Sequence, residues 1–487
     1  MPSSTPTDYY LILDSGTSSS KVFAISSAGK IEFTKRIKHE LHRPAPFHVE
    51  CDANETFKAC NSLLQSAVKF VKRNHGHILR CGFTVQRSTF LFWDKETKEP
   101  LTPALNWQDS RANDIVNNLQ EYAEQVRAIT GTPLSAHFGG PKYQYLVEQD
   151  AGLKQKVDSG KAWFGPLSAY LTHKFSDIAC VDESIAGRSI LMDIDSVSWS
   201  NELMTLFHVN PDSLPPLATT VGEFGTLTID GISFPLSCVI GDQQAALIGQ
   251  GGIAPNSLAM NFGTSGSVQF NSGQTPLHIP ELLSSVLTSD NKSQYYLLEG
   301  TINACNSLFY WLEEELGIPH NKMMWNERSE HQTTSGVLIP GFIGLAAPYW
   351  TDQFETVQYK LNTSNDDEIV RAGMESVGFL VYDIIQSMKE SLTNDDSMIT
   401  ASGGGSRSSL LQFIADLLQR PIGHSAVKDR TAMGVFQLLY HLDHAGTDIS
   451  ASHCDVVFNP EMNSDLRAEK IGDWKDALAI AGIRLNN

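Results

Sequence analysis

No pair of cysteines in this 487-residue chain has the Cys-x-x-Cys spacing, and the seven present, Cys51, Cys60, Cys81, Cys180, Cys238, Cys305 and Cys454, are scattered and odd in number. Such a set argues against a disulfide framework or a thiolate metal centre and fits reduced thiols in a cytosolic protein. Long apolar runs are also lacking. Nowhere do the roughly 18 consecutive apolar residues of a spanning helix occur, and Met1 to Asp8 is polar, without the apolar centre of a secretion signal. Positive charge is scarce: 36 Lys and Arg stand against 55 Asp and Glu, for a formal charge of -19. Nucleic acid or an anionic membrane would be repelled over most of such a surface. The expectation is a cytoplasmic protein with a small-molecule partner.

Several catalytic motifs are missing as well. There is no HExxH spacing for zinc, no GxGxxG fingerprint, no Walker A loop opening a helix, and no serine elbow with triad partners in evidence. What the chain does have is a pair of Gly-Thr-Ser turns about half its length apart. Asp14-Ser15-Gly16-Thr17-Ser18 follows the apolar run Tyr9 to Leu13, and Gly263-Thr264-Ser265 follows Leu258 to Asn261. Each leads into a second strand-like stretch, Val22 to Ile25 and Val268 to Phe270, so each reads as a hairpin. Amides and small hydroxyls gathered at such a turn form an anion-binding concavity that no bulky side chain blocks. A nucleotide clamped between two such turns is the leading hypothesis, and an ordinary Asp-Gly hairpin is the alternative for each turn alone.

A chain of this length is expected to split into two domains of roughly 200 to 250 residues with a ligand cleft between them. Strand-like runs alternate with amphipathic helical stretches, the pattern of an α/β protein. Asp52 caps a helix with Cys60, Leu64, Ala67, Val68 and Val71 on one face; Val116, Leu119, Ala123 and Val126 repeat that spacing; Val370, Met374, Val377, Val381, Ile384 and Met388 mark a long packed helix. The change of domain falls near Gly249 to Pro255, giving halves 1–248 and 249–487. One hairpin near the beginning of each half suggests duplication of a nucleotide-binding unit.

Four further stretches could carry chemistry. Asp14, with Ser18, Ser19, Ser20 and Lys21 after it, could hold Mg²⁺ through water while hydroxyls, amides and lysine meet phosphate oxygens. Asp242, in Gly241-Asp242-Gln243-Gln244, stands where a strand gives way to a helix, as a general base at a cleft mouth or simply as a helix cap. Ser402 to Ser409, with Gly403, Gly404 and Gly405, follows a strand and opens a helix, so its backbone could approach a base or ribose; a plain glycine-rich connection is the other reading. Gln86-Arg87-Ser88-Thr89 and Asn106-Trp107-Gln108-Asp109 offer donors, acceptors and a flat apolar wall, suited to a polyhydroxylated ligand or equally to a buried Trp with surface ion pairs.

Taken together, these residues resemble the FGGY family of carbohydrate kinases over nearly the whole chain, from Tyr9 to about Leu442. The resemblance implies a two-domain actin-like ATPase fold of the ribonuclease H-like α/β type, with the active site in the interdomain cleft. It implies ATP and Mg²⁺ as cofactors and a small sugar or polyol as partner, with a homodimer possible. ATP contacts would fall to Gly16, Thr17, Ser18, Ser19 and Lys21, to Gly263 and Thr264, and to Gly404 and Ser408. Asp242 would be the catalytic base, Asp14 and Asp242 the metal partners, and Gln86, Arg87, Trp107, Asp242 and Gln243 the substrate shell. The glycerol kinase branch is the nearest likeness, echoed in Gln86-Arg87, Gly241 to Leu247 and Gly344 to Trp350. Ser88 stands where that branch has a glutamate and His137 where it has a tyrosine, and Tyr145 replaces a common tryptophan in the first signature around Phe138 to Lys142. Selectivity built on hydrogen bonds is lost steeply when the bonds change, so the acceptor could be glycerol, another polyol, or a pentulose of the xylulose or ribulose type. A nucleotide-gated chaperone of the actin-like class is the rival from another functional class.

Overall fold

The computed structural model describes residues 6–251, 253–392, 398–425, 429–444 and 454–484. The strand Asp8–Ser15 turns at Gly16 and pairs antiparallel with Ser19–Ser26, placing Leu13 opposite Val22 and Asp14 opposite Lys21. Ile31–Lys38 adds antiparallel to one edge. On the other side His77–Val85 runs parallel to the first strand, and Ile232–Gly241 runs parallel to that. The second half repeats this plan. Leu258–Phe262 pairs antiparallel with Gly266–Gly273, which pairs antiparallel with Gln294–Ile302, while Ile399–Ser402 and then Ile422–His424 extend the sheet in parallel on the other side. Five strands in the spatial order third, second, first, fourth, fifth thus recur with the same directions. The duplication suggested by two short turns extends to a whole sheet.

Helices cover these sheets for the reasons their sequences give. Ala53–Arg73 starts where the Asp52 carboxylate accepts from the Asn54 and Glu55 amides, and buries Cys60, Leu64, Ala67, Val68 and Val71. Asp366–Met388 starts at an Asn365 cap and buries all six apolar positions from Val370 to Met388 that the spacing picked out. The stretch from Val116 to Val126 departs from its helical spacing: Asn113–Asn118 and Ala123–Thr130 are separated by the 3-10 turn Gln120–Tyr122. The weak helix formers Asn117 and Asn118 lie where the first piece stops.

Each fifth strand feeds a helix, Asp242–Gly251 in the first half and Arg430–Asp443 in the second. These helices cross in backbone contact. A Cβ on Gly434 would lie 1.9 Å from the Ala245 carbonyl oxygen, and one on Gly249 would lie 2.1 Å from that of Arg430, so only glycine fits at the crossing. An apolar cluster joins the halves around it, with Tyr10, Ile12, Ile240 and Leu247 from one side and Leu297, Val435, Phe436 and Leu439 from the other. The topology therefore brings the C-terminal ends of both first strands, and the turns that follow them, to the same side of the crossing.

Candidate active site

The first turn is tied down by side chains. Gly16 donates its amide to the Ser19 carbonyl at 3.1 Å, closing the hairpin. Asp14 Oδ2 accepts from Thr431 Oγ1 at 3.0 Å, and Lys21 Nζ pairs with Asp429 Oδ1 at 2.5 Å, so both charged residues of the turn are met by the helix start of the other half. Burial, then the nearby Asp242 and Asp429 carboxylates, push Asp14 up to about 6 against the opposing pull of Thr431 and Lys21. Thr17 faces another way. Its hydroxyl donates to Gln86 Oε1 at 2.8 Å and accepts from Trp107 Nε1 at 2.9 Å, while Asn106 Nδ2 donates to the same Gln86 oxygen at 3.1 Å. Gln86, Trp107 and the phosphate-type turn, three separate expectations from the sequence, thus form one hydrogen-bonded wall.

Asp242 opens its helix, as the sequence suggests, and its Oδ1 accepts from the Gln243 amide at 2.8 Å. That contact with the next residue's amide orients the carboxylate but is not an N-cap bond, which would reach an amide two or three residues on. Burial raises its pKa, and the Arg87 guanidinium, with Nε 3.7 Å from Oδ1, pulls the other way. Gln243 contributes its carbonyl, which accepts from Gln269 Nε2 at 3.2 Å.

Arg87 turns its two terminal nitrogens onto the Glu299 carboxylate at 2.8 and 2.9 Å, and Arg188 Nη2 reaches the same carboxylate at 2.7 Å. Glu299 lies on Gln294–Ile302 in the second half and both arginines in the first, so this buried triad spans the halves. Despite burial, the two guanidinium groups hold Glu299 down at about 2. Sequence reasoning missed Glu299 and Arg188. The one local signal was a carboxylate inside the apolar strand Tyr295-Tyr296-Leu297-Leu298-Glu299.

The second turn is held by backbone. The Thr264 carbonyl accepts from the Cys305 amide at 3.1 Å, the Ser307 amide at 3.2 Å and Ser307 Oγ at 3.0 Å, and the Gly263 carbonyl accepts from the Asn306 amide at 3.1 Å. The turn is thereby joined to the start of helix Asn306–Glu315. Asn306 Oδ1 in turn accepts from Arg407 Nη1 at 2.8 Å, and the Arg407 guanidinium sits 4.3 Å over the Phe309 ring and 5.2 Å over that of Trp325. Beside them Gly404, Ser406 and Ser408 line a cleft of about 340 Å³ with Trp325, Glu327 and Glu330. Gly404 faces open space, and Trp325 Nε1, Ser406 Oγ and Arg407 Nε are buried without a hydrogen-bond partner. The expected Gly404 and Ser408 are in this wall, and Arg407 belongs to the same Ser402 to Ser409 stretch; Trp325 carried no recognisable signal.

His137 Nδ1 lies 2.9 Å from the Trp107 carbonyl, so it carries the proton and leaves Nε2 as an acceptor. Desolvation of the ring, with Lys142 nearby, lowers its pKa. Ser88 is buried with its backbone in the left-handed region at φ 60°.

Comparison with known proteins gives a consistent answer along the whole chain. Residues 9–249 match the model of the N-terminal domain of the FGGY family of carbohydrate kinases, and residues 258–440 match that of its C-terminal domain. Glycerol kinase of Acinetobacter baylyi is 30% identical, covering 97% of this chain and 99% of its own length, and glycerol kinase 1 of Thermotoga maritima is 28% identical over 96% of this chain and 99% of its own. Among solved structures, Plasmodium falciparum glycerol kinase with ADP superposes with a TM-score of 0.90 at 25% identity, covering 99% of both chains. A xylulose kinase from Lactobacillus acidophilus shares the fold, with a TM-score of 0.84 at 20% identity over 98% of this chain and 99% of that one. With both domain models matched and the sheet plan repeated in the two halves, the chain belongs to the FGGY family of carbohydrate kinases, phosphotransferases with an alcohol group as acceptor.

Proposed function

We propose that this enzyme transfers the γ-phosphoryl group of ATP to a primary hydroxyl of a short polyol or ketose, with Asp242 as general base. The observation that carries the reading is the position of Asp242: a half-buried carboxylate at a helix start, oriented by the Gln243 amide and facing Arg87, with the Gln86–Thr17–Trp107 wall joined to the same turn as Asp14. The Asp242 carboxylate takes the hydroxyl proton as the acceptor oxygen attacks phosphorus, and the bond from phosphorus to the leaving ADP oxygen breaks. Such a base contributes typically 10² to 10⁴ in rate. Arg87 and Trp107 orient the acceptor, and the amides of the two turns hold the phosphates on the far side, where positioning supplies much of the remaining rate. Adenosine would occupy the cleft by Gly404 and Ser408, where the unpartnered Trp325, Ser406 and Arg407 atoms await polar contacts.

The donor set also fits Mg²⁺. The Asp242 carboxylate helps to raise the pKa of Asp14, and both offer only hard oxygen atoms, while no group of three or more His, Cys, Asp or Glu side chains among the described residues could hold a metal by themselves. One or two carboxylates completed by phosphate and water is the usual arrangement for this ion. When bound it would neutralise charge on the transferring phosphoryl group.

The relatives are glycerol and xylulose kinases, so glycerol and xylulose are the first acceptors to try. Ser88 and the acceptor nitrogen of His137 favour an acceptor with a hydroxyl to donate and more bulk than glycerol. No described helix is long and apolar enough to cross a membrane, in keeping with a cytoplasmic enzyme. An ADP-release assay over glycerol, erythritol, pentuloses, hexuloses and aldonic acids tests the reading. Acceptor-stimulated turnover on a polyol or ketose is expected, and none across the panel defeats it.

A further inference from the structure

Lys142 is a fully buried lysine whose bonded partners are all backbone carbonyls. It lies in the first turn of helix Gly139–Gln149 with no exposed surface. Its Nζ donates to the Ser88 carbonyl at 2.9 Å and the Asn106 carbonyl at 2.8 Å, with the Leu105 carbonyl at 3.5 Å. Burial lowers its pKa to about 7, with Asp109 the main opposing charge. An ammonium buried without a bonded carboxylate is costly, and an apolar side chain would fill the same space at less cost. What the ammonium adds is a set of three donors on one atom.

Those donors meet at a junction. Ser88 follows Gln86 and Arg87 at the end of strand His77–Val85, and Asn106 precedes Trp107. The helix that carries Lys142 begins just after His137, whose ring holds the Trp107 carbonyl. Three separate stretches, bearing Arg87 and Ser88, Asn106 and Trp107, and His137, therefore converge on one nitrogen. The left-handed backbone of Ser88 needs something to hold its carbonyl inward, and Lys142 does so. The ATP turns at Gly16 and Gly263 make no hydrogen bond to it.

We propose that Lys142 is a positioning residue for the acceptor: it sets the spacing of the two loops that carry Arg87 and Trp107, and so determines acceptor binding without touching the nucleotide. The inference rests on the acceptor reading given above. Displacement of such loops by about 1 Å is enough to cost on the order of 10²-fold in rate.

The test compares wild type with Lys142→Met, which keeps the volume and removes the donors, and with Lys142→Gln, which keeps an N–H donor and serves if the first variant does not fold. The expected result is a fall of roughly 10²-fold in kcat/KM for the acceptor with the KM for ATP unchanged, and a smaller fall for Lys142→Gln. In parallel, hydrogen exchange should quicken in peptides covering 86–88 and 105–107 and stay unchanged at 14–21 and 263–266. Acceptor kinetics close to wild type, or equal losses for acceptor and ATP with exchange quickened throughout, would overturn the inference. A wild-type enzyme without acceptor-stimulated turnover would defeat the functional reading alone, and the exchange pattern would still decide the role of Lys142.

Discussion

The two glycine turns occupy equivalent places in a repeated sheet, yet they are built differently. Two residues before Gly16 stands Asp14; two residues before Gly263 stands Asn261. The first turn is bound by side chains to both the Gln86–Trp107 wall and the other half, through Thr17, Asp14 and Lys21. The second is bound by its own carbonyls to a helix start, and through Asn306 and Arg407 to the cleft beside Gly404 and Ser408. The frame is repeated; the carboxylate stands in one copy only. A neutral second turn can approach a polyphosphate without repelling it, whereas the carboxylate of the first turn fits a cation between itself and the phosphates.

The comparison is broken most severely by Asp14→Asn, which makes the two turns chemically alike. A loss of roughly 10² to 10³ in kcat is expected, the scale seen when one electrostatic contact to a transition state is removed, with the dependence on magnesium concentration moved to higher values. Stability should move the opposite way. The folded-state pKa of Asp14, about 6, lies above the ordinary aspartate value of 3.8, so its ionised form costs the native state stability as pH rises through 6, and that cost disappears below the unfolded value. Melting curves should therefore find the variant more stable than wild type at pH 7 to 8, with the gap closing near pH 4.

The reverse exchange, Asn261→Asp, sharpens the contrast. Asn261 Oδ1 lies where a Cβ on Gly403 would come within 2.6 Å, beside the glycine run Gly403 to Gly405. A second carboxylate there should raise the KM for ATP by about tenfold, the equivalent of roughly 1.4 kcal/mol, and leave the acceptor KM unmoved. Ser307→Ala is gentler. It removes one of the three bonds to the Thr264 carbonyl, for which about 1 kcal/mol, or several-fold in ATP affinity by titration calorimetry, is the expected loss.

Local rules made much of this legible beforehand. Hairpin turns, the Asp52 cap and the apolar face from Val370 to Met388 follow from spacing within one segment, and the structure has them where the spacing puts them. The break at Leu119 was not legible, because apolar spacing continues through it while the backbone does not. Of the site, Gln86, Arg87, Trp107 and Asp242 were visible because each follows a strand or opens a helix. Glu299, Arg188, Thr431 and Asp429 were not, because each acquires its role only when the halves meet. Lys142 was visible only as part of a motif; the loops that it joins are 36 and 54 residues away in sequence.

If two unlike turns hold one nucleotide before Asp242, the base acts on chemistry and not on nucleotide binding. Asp242→Asn decides this in single-turnover phosphoryl transfer, with ATP affinity measured on the same preparation. A fall of roughly 10² to 10⁴ in the transfer rate with ATP affinity retained is expected. Transfer at the wild-type rate, with ATP still bound, would contradict it.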